Sequence, residues 1–133
     1  MLHQETENLR QLAKCWNNLD VRFIETILAD DFIYKSQWVL SPIEGKKSFL
    51  SYLNSKFQAI KTAMKLEPMT ITAELALHPA IHNRPCIVLS QISSKRIRQV
   101  SLLVKLKQEK IKRIEVCFIP NSAKANLSGE VPL

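Results

Sequence analysis

The hydrophobic residues change period part-way along the chain, and that change limits the fold more than any single motif. In residues 5–16, Leu9, Leu12, Ala13 and Trp16 recur at three- and four-residue spacing, which places them on one helix face. From Met69 onward the spacing is two. Met69, Ile71, Ala73, Leu75 and Leu77 alternate with Thr70, Thr72, Glu74 and Ala76, the pattern of a strand with one buried face. Helices early and strands late predict an α+β domain, with helices packed on one face of an antiparallel sheet.

The intervening segments fill in this order. Residues 19–28 predict a second, short helix, with Asp20 as N-cap and Val21, Ile24, Ile27 and Leu28 as its stripe. Asp30 and Asp31 end it. Residues 32–39 predict a strand with Phe32, Tyr34, Ser36 and Trp38 on one face and Ile33, Lys35, Gln37 and Val39 on the other. Ser41, Pro42 and Gly45 mark a turn. A third helix is predicted over residues 47–63, on a stripe of Phe49, Leu50, Leu53, Phe57 and Ile60. Residues 85–92 are apolar on both faces and predict a central strand. Residues 98–107 and 111–119 alternate again across a turn at 108–110, and Pro120 stops the last strand. Residues 1–120 read as one domain, and residues 121–133, which have no period, as a loosely held tail.

Composition decides what else the chain can be. With 133 residues, 46% of them hydrophobic, it can bury a core without disulfides or metals. No apolar run approaches the roughly 20 residues of a membrane span. The first residues carry Glu5 and Glu7 and do not read as a secretory signal. Cys15, Cys86 and Cys117 are odd in number, far apart and set among apolar neighbours, as reduced buried thiols of a cytoplasmic protein would be. Neither a CxxC pair nor a His/Cys spacing suited to zinc occurs, so no metal or other cofactor is expected. The net charge of +7 comes from Lys95, Arg96 and Arg98 and from Lys105, Lys107, Lys110, Lys112 and Arg113. These read as a solvated hairpin end guarding a sheet edge rather than a nucleic-acid surface, since no aromatic residue is interleaved for stacking.

The stretch from Cys15 to Leu53 carries a recognisable series: Asn17-x-x-Asp20 at the end of the first helix, then Ala29-Asp30-Asp31 at the entry to a strand, then Gly45 before the next helix. In that order the chain resembles the nuclear-transport-factor-2-like superfamily, which includes the SnoaL-like cyclases and the ketosteroid isomerases. The resemblance spans residues 5–119. It implies a cystatin-like cone: three N-terminal helices on a curved antiparallel sheet, with a pocket at the open end. It also implies a homodimer paired through the outer sheet face, where Cys86, Val88 and Leu102 supply apolar residues of the opposite parity to Ile87, Leu89 and Leu103.

The catalytic groups of the ketosteroid isomerases do not carry over. Their aspartate base falls at Ser36, and their oxyanion donors fall at Leu12 and Leu102. A serine without a base cannot take a carbon-bound proton, and two leucines cannot hold an enolate oxygen. The late-strand aspartate of the SnoaL-type cyclases is missing too, because no aspartate follows Asp31, and Glu115 has the opposite parity to Ile114, Val116 and Phe118.

The resemblance instead implies a mostly apolar pocket built from Trp16, Tyr34, Ser36, Trp38, Phe57, Leu102, Val104, Ile114, Val116 and Phe118. The first functional expectation is a module that binds a small hydrophobic molecule or serves as a dimeric scaffold. The alternatives are an isomerase, dehydratase or cyclase using Tyr34 or one of His78 and His82, and an interaction module using the basic hairpin. His78 and His82 flank a proline loop with no partner fixed by spacing, so exposure accounts for them better than catalysis does.

Overall fold

The structure is a computed structural model that describes residues 2–37 and 39–133. Helix α1 spans Leu2–Asn18, strand β1 Leu28–Ser36, β2 Val39–Glu44 and helix α2 Lys46–Leu66. Strands β3 (Met69–His78), β4 (Arg84–Ser93), β5 (Ile97–Lys107), β6 (Lys110–Cys117) and the short β7 (Asn126–Leu127) follow. The strands form one curved sheet in the order β2-β1-β6-β5-β4-β3-β7.

The helix stripes bury as their spacing requires. Leu9, Leu12 and Ala13 of α1 and Phe49, Leu53 and Phe57 of α2 are almost wholly buried. They meet Ala73, Ile87, Leu102, Val104, Ile111 and Ile114 from the concave face of the sheet in one core. Trp16 stands edge-on to Phe57, with ring centroids 4.9 Å apart at 80°, a favoured aromatic geometry.

The second helix is not formed, so two α-helices rather than three are present among the described residues. Asp20 does cap a turn, accepting from the Arg22 amide at 2.9 Å, but the turn is a 3-10 segment of Val21–Phe23 only. Two causes act. Val21, Ile24 and Ile27 are β-branched and lose side-chain freedom in a helix. The Ile111 amide also donates to the Ile27 carbonyl at 2.7 Å, and Leu28 pairs with Ile111. Pairing with β6 thus draws residue 28 into a strand. That pairing is parallel, so the sheet is mixed rather than antiparallel throughout. Asp30 and Asp31 consequently lie inside β1 instead of closing a helix.

The turn expected at Ser41 and Pro42 is strand β2, paired antiparallel to β1. A proline is tolerated there because β2 is the sheet's edge and one side of it needs no amide donor. Gly45 has φ +94, a backbone region that favours glycine, and its amide donates to the Phe32 carbonyl at 2.7 Å. This junction turns the chain from β2 into α2.

Residues 121–133 are tied down rather than loose. Ser122–Lys124 forms a 3-10 turn, and β7 pairs with β3. Ser122 and Ser101 share a buried hydroxyl–hydroxyl bond of 2.9 Å. Glu130 pairs with Arg10 at 2.7 Å. The start of the segment lies on the outer face, where Ala76, Cys86, Val88, Leu103 and Cys117 form a second buried cluster against Ile81 and Ala125, and its end runs along the β3 edge to α1. The dimer expectation rested on an outer face that needed a cover, and at these five residues the cover is the chain's own. Leu102, assigned to the outer parity with Cys86 and Val88, belongs to the concave core, because the strand pairing sets Leu102 opposite Ile87.

The Asn17-x-x-Asp20 pattern also has a structural cause. Asn17 Oδ1 accepts from the Ala73 amide at 2.7 Å, and its Nδ2 donates to the carbonyls of Ala73 at 3.0 Å and Pro132 at 2.6 Å. One side chain thus joins α1, β3 and the C-terminal segment. Asn17→Ala leaves these backbone groups without partners and is expected to lower stability by about 2–3 kcal/mol, read from urea unfolding. Asn17→Asp, which keeps the acceptor only, should lie between the two.

Candidate functional site

Between the open end of α2 and the concave face of the sheet lies a cavity of about 380 Å³. Three elements build it by their periods. On α2, Tyr52, Lys56 and Ile60 are four residues apart and form a stripe beside the core stripe Phe49, Leu53 and Phe57. On β5, Arg98, Val100 and Leu102 share one face. On β1 the lining is Tyr34 and Ser36, and on β6 it is Val116, with Phe118 just past the strand's end. Trp16, Ile71 and Leu89 close the walls.

Six of the residues singled out from sequence meet here: Trp16, Tyr34, Ser36, Leu102, Val116 and Phe118. Three do not. Phe57 is wholly buried against Trp16, and Val104 and Ile114 are packed in the core. Their strand parity is right, but they lie nearer the closed end, where α2 and α1 fill the space. Trp38 lies outside the described residues. Sequence reading missed Tyr52, Lys56, Ile60, Ile71, Leu89, Gln91, Arg98, Gln99 and Val100. The signals were available: a second four-residue stripe on α2, and for Arg98 the same parity as Leu102.

The cavity is open, since Ile71, Leu89, Val100 and Val116 have the core-facing parity yet are only half-buried. An aromatic group lines one side. The Tyr34 ring is 5.0 Å from Phe49 and 5.6 Å from Tyr52, centroid to centroid. Burial, and after it the neighbouring Tyr52, pushes the Tyr34 phenol well above its ordinary pKa. Tyr34 therefore keeps its proton and can donate a hydrogen bond but cannot serve as a base near neutrality.

Among the described residues, no aspartate, glutamate or histidine lines the cavity. Of the positions matched to isomerase catalysts, Ser36 and Leu102 line the cavity and Leu12 is in the core. His78, expected to be exposed, is buried. Its Nε2 donates to the Asn121 carbonyl at 2.8 Å and its Nδ1 accepts from the Ala80 amide at 3.2 Å, so both ring nitrogens are occupied in structural bonds. His82 is exposed, with φ +57, in the loop after β3. The three cysteines are unpaired and buried. Burial raises the Cys86 thiol to about 11, and Cys117 is raised by burial and then by Glu115.

On the basic hairpin, Lys112 and Lys107 lie 2.9 Å and 3.8 Å from the Asp31 carboxylate, and Lys112 is the first cause of that group's lowered pKa. Arg113 pairs with Glu115 at 3.0 Å. Much of this charge is thus engaged within the sheet. No helix among the described residues is long and apolar enough to cross a membrane.

The architecture of helices against a curved mixed sheet, with a cavity at its open end, has counterparts among solved structures. An NTF2-like protein of unknown function from Mesorhizobium loti superposes with a TM-score of 0.64 at 9% identity, over 87% of this chain and 91% of that one. The chain has the nuclear-transport-factor-2-like fold. A steroid delta-isomerase from Pseudomonas aeruginosa matches with a TM-score of 0.61 at 14% identity, over 86% and 78% of the two chains. A protein with a cystatin-like fold from Methylobium petroleophilum matches with 0.60 at 10% identity, over 98% and 88%. No protein-family model and no curated protein sequence matches the chain. The lining of the present cavity is largely apolar and aromatic, with Ser36, Gln91 and Gln99 and two cations, Lys56 and Arg98.

Proposed function

We propose that this nuclear-transport-factor-2-like chain binds a small, largely apolar molecule in its cone cavity and does not transform it. One observation carries the reading: an open cavity of about 380 Å³ walled by half-buried Ile71, Leu89, Val100 and Val116 and by aromatic rings, with no carboxylate or imidazole on its lining among the described residues. Its volume falls within the range of small-molecule sites, about 300–1,000 Å³. Isomerisation or cyclisation needs a group that takes a proton near neutrality, and the polar side chains that line the cavity among the described residues are two phenols, a serine, two carboxamides, an ammonium and a guanidinium.

The test is titration with naphthylacetamide, a neutral probe, followed by tryptophan fluorescence, since Trp16 lines the cavity. Saturable quenching is expected. The double variant Val100→Phe/Val116→Phe fills the space and should weaken binding by about tenfold or more, equivalent to about 1.4 kcal/mol. Unchanged affinity in that variant would place the probe elsewhere and remove the reading.

A further inference from the structure

The cavity lining carries charge of one sign only. Lys56 and Arg98 both line it, both are exposed and so stand at its solvent end, and among the described residues no acidic one lies on the lining to oppose them. Neither makes an ion pair among the described residues. This sets them apart from the hairpin cations Lys107, Lys112 and Arg113, whose charges are met by Asp31 and Glu115. They also come from different elements, α2 and β5, so no local repeat places them together. The Lys56 ammonium lies 5.8 Å from the centroid of the Tyr52 ring, itself part of the wall, within the reach of a cation–π contact.

An apolar chamber with two uncompensated cations at its mouth is complementary to an amphipathic anion. We propose that the ligand is an apolar acid: an aromatic or aliphatic body seated against Trp16, Leu89 and Val100, with a carboxylate or similar anionic group held between Lys56 and Arg98. This rests on the reading of the cavity as a binding site and adds the chemical class of the occupant. The guanidinium can grip a carboxylate with two donors, while the ammonium acts as a point charge. The wall is neutral and largely apolar, so charge at one end is the main element of selectivity.

The test compares naphthylacetate with naphthylacetamide, which match in shape and differ in charge. In the wild-type chain the acid is expected to bind about five- to tenfold more tightly than the amide, the size of effect that one or two partly screened charge contacts produce. The preference should shrink as sodium chloride is raised. In Lys56→Gln/Arg98→Gln the preference should fall to near unity, with the loss falling on the acid rather than on the amide. Both side chains are exposed, so the fold should survive, and circular dichroism checks this. Equal affinity of acid and amide in the wild type, or a preference that survives in the double variant, would overturn the proposed ligand class and leave the cavity reading standing. Failure of both probes to bind would overturn the cavity reading and the inference with it.

Discussion

Ending the chain after Pro120 is expected to destabilise it by about 3–5 kcal/mol, chiefly by returning the outer-face cluster to water. Ala76, Cys86, Val88, Leu103 and Cys117 are buried against Ile81 and Ala125, and the truncation removes Ala125. The same truncation removes the Ser101–Ser122 bond, the His78–Asn121 bond, the β7 pairing and the Glu130–Arg10 ion pair. Three readouts should move together. The urea midpoint falls, Cys86 and Cys117 react faster with a thiol reagent, and the shortened chain self-associates. The second follows from the sign of the shift: burial raises the Cys86 thiol to about 11, and exposure returns it toward the ordinary value with more reactive thiolate. Ala125→Asp offers a milder form, placing a charge against the same cluster in a full-length chain. A truncated chain with unchanged stability and thiol reactivity would show that these residues are not the cover.

Phe57→Ala should be the most destabilising single substitution in α2, at about 3–5 kcal/mol, because it removes a ring from a site with no solvent access. Its edge-on contact with Trp16 at 4.9 Å goes with it. Tyr52→Ala, five residues earlier on the half-buried cavity wall, should cost clearly less and instead alter probe binding. The pair separates core from site on one helix. If Phe57→Ala folded normally and lost only probe affinity, the core assignment of Phe57 would be wrong.

What the sequence made legible follows from how local each signal is. The stripes on α1 and α2 and the alternation on β3 to β6 are short-range periods, and the core is visible in them: Leu9, Leu12, Phe49, Leu53 and Ile114 are all on faces that bury. Pairing is long-range, and there the reading failed. Residues 19–28 have helical spacing, but the β-branched side chains resist a helix and Ile111 draws Leu28 into the sheet. Pro42 reads as a turn until β2 is known to be an edge. Residues 121–133 have no period because a cover for an outer face needs contacts, not periodicity. Within the site, parity located Tyr34, Ser36, Leu102, Val116 and Phe118 but could not tell depth along the cone, which is why Val104 and Ile114 belong to the core. Arg98 was read by its charge and grouped with the basic hairpin. Its parity with Leu102 was the better guide to its place in the cavity.

The central claim is that a small apolar molecule enters the cone between α2 and the sheet. Methyl-labelled protein titrated with naphthylacetamide and followed by NMR tests it directly. The account predicts saturable shifts at Ile60, Ile71, Leu89 and Val100, which line the cavity, and none at Val88 and Leu103 on the outer face. Shifts confined to the outer face, or no shifts at saturating probe, would contradict it.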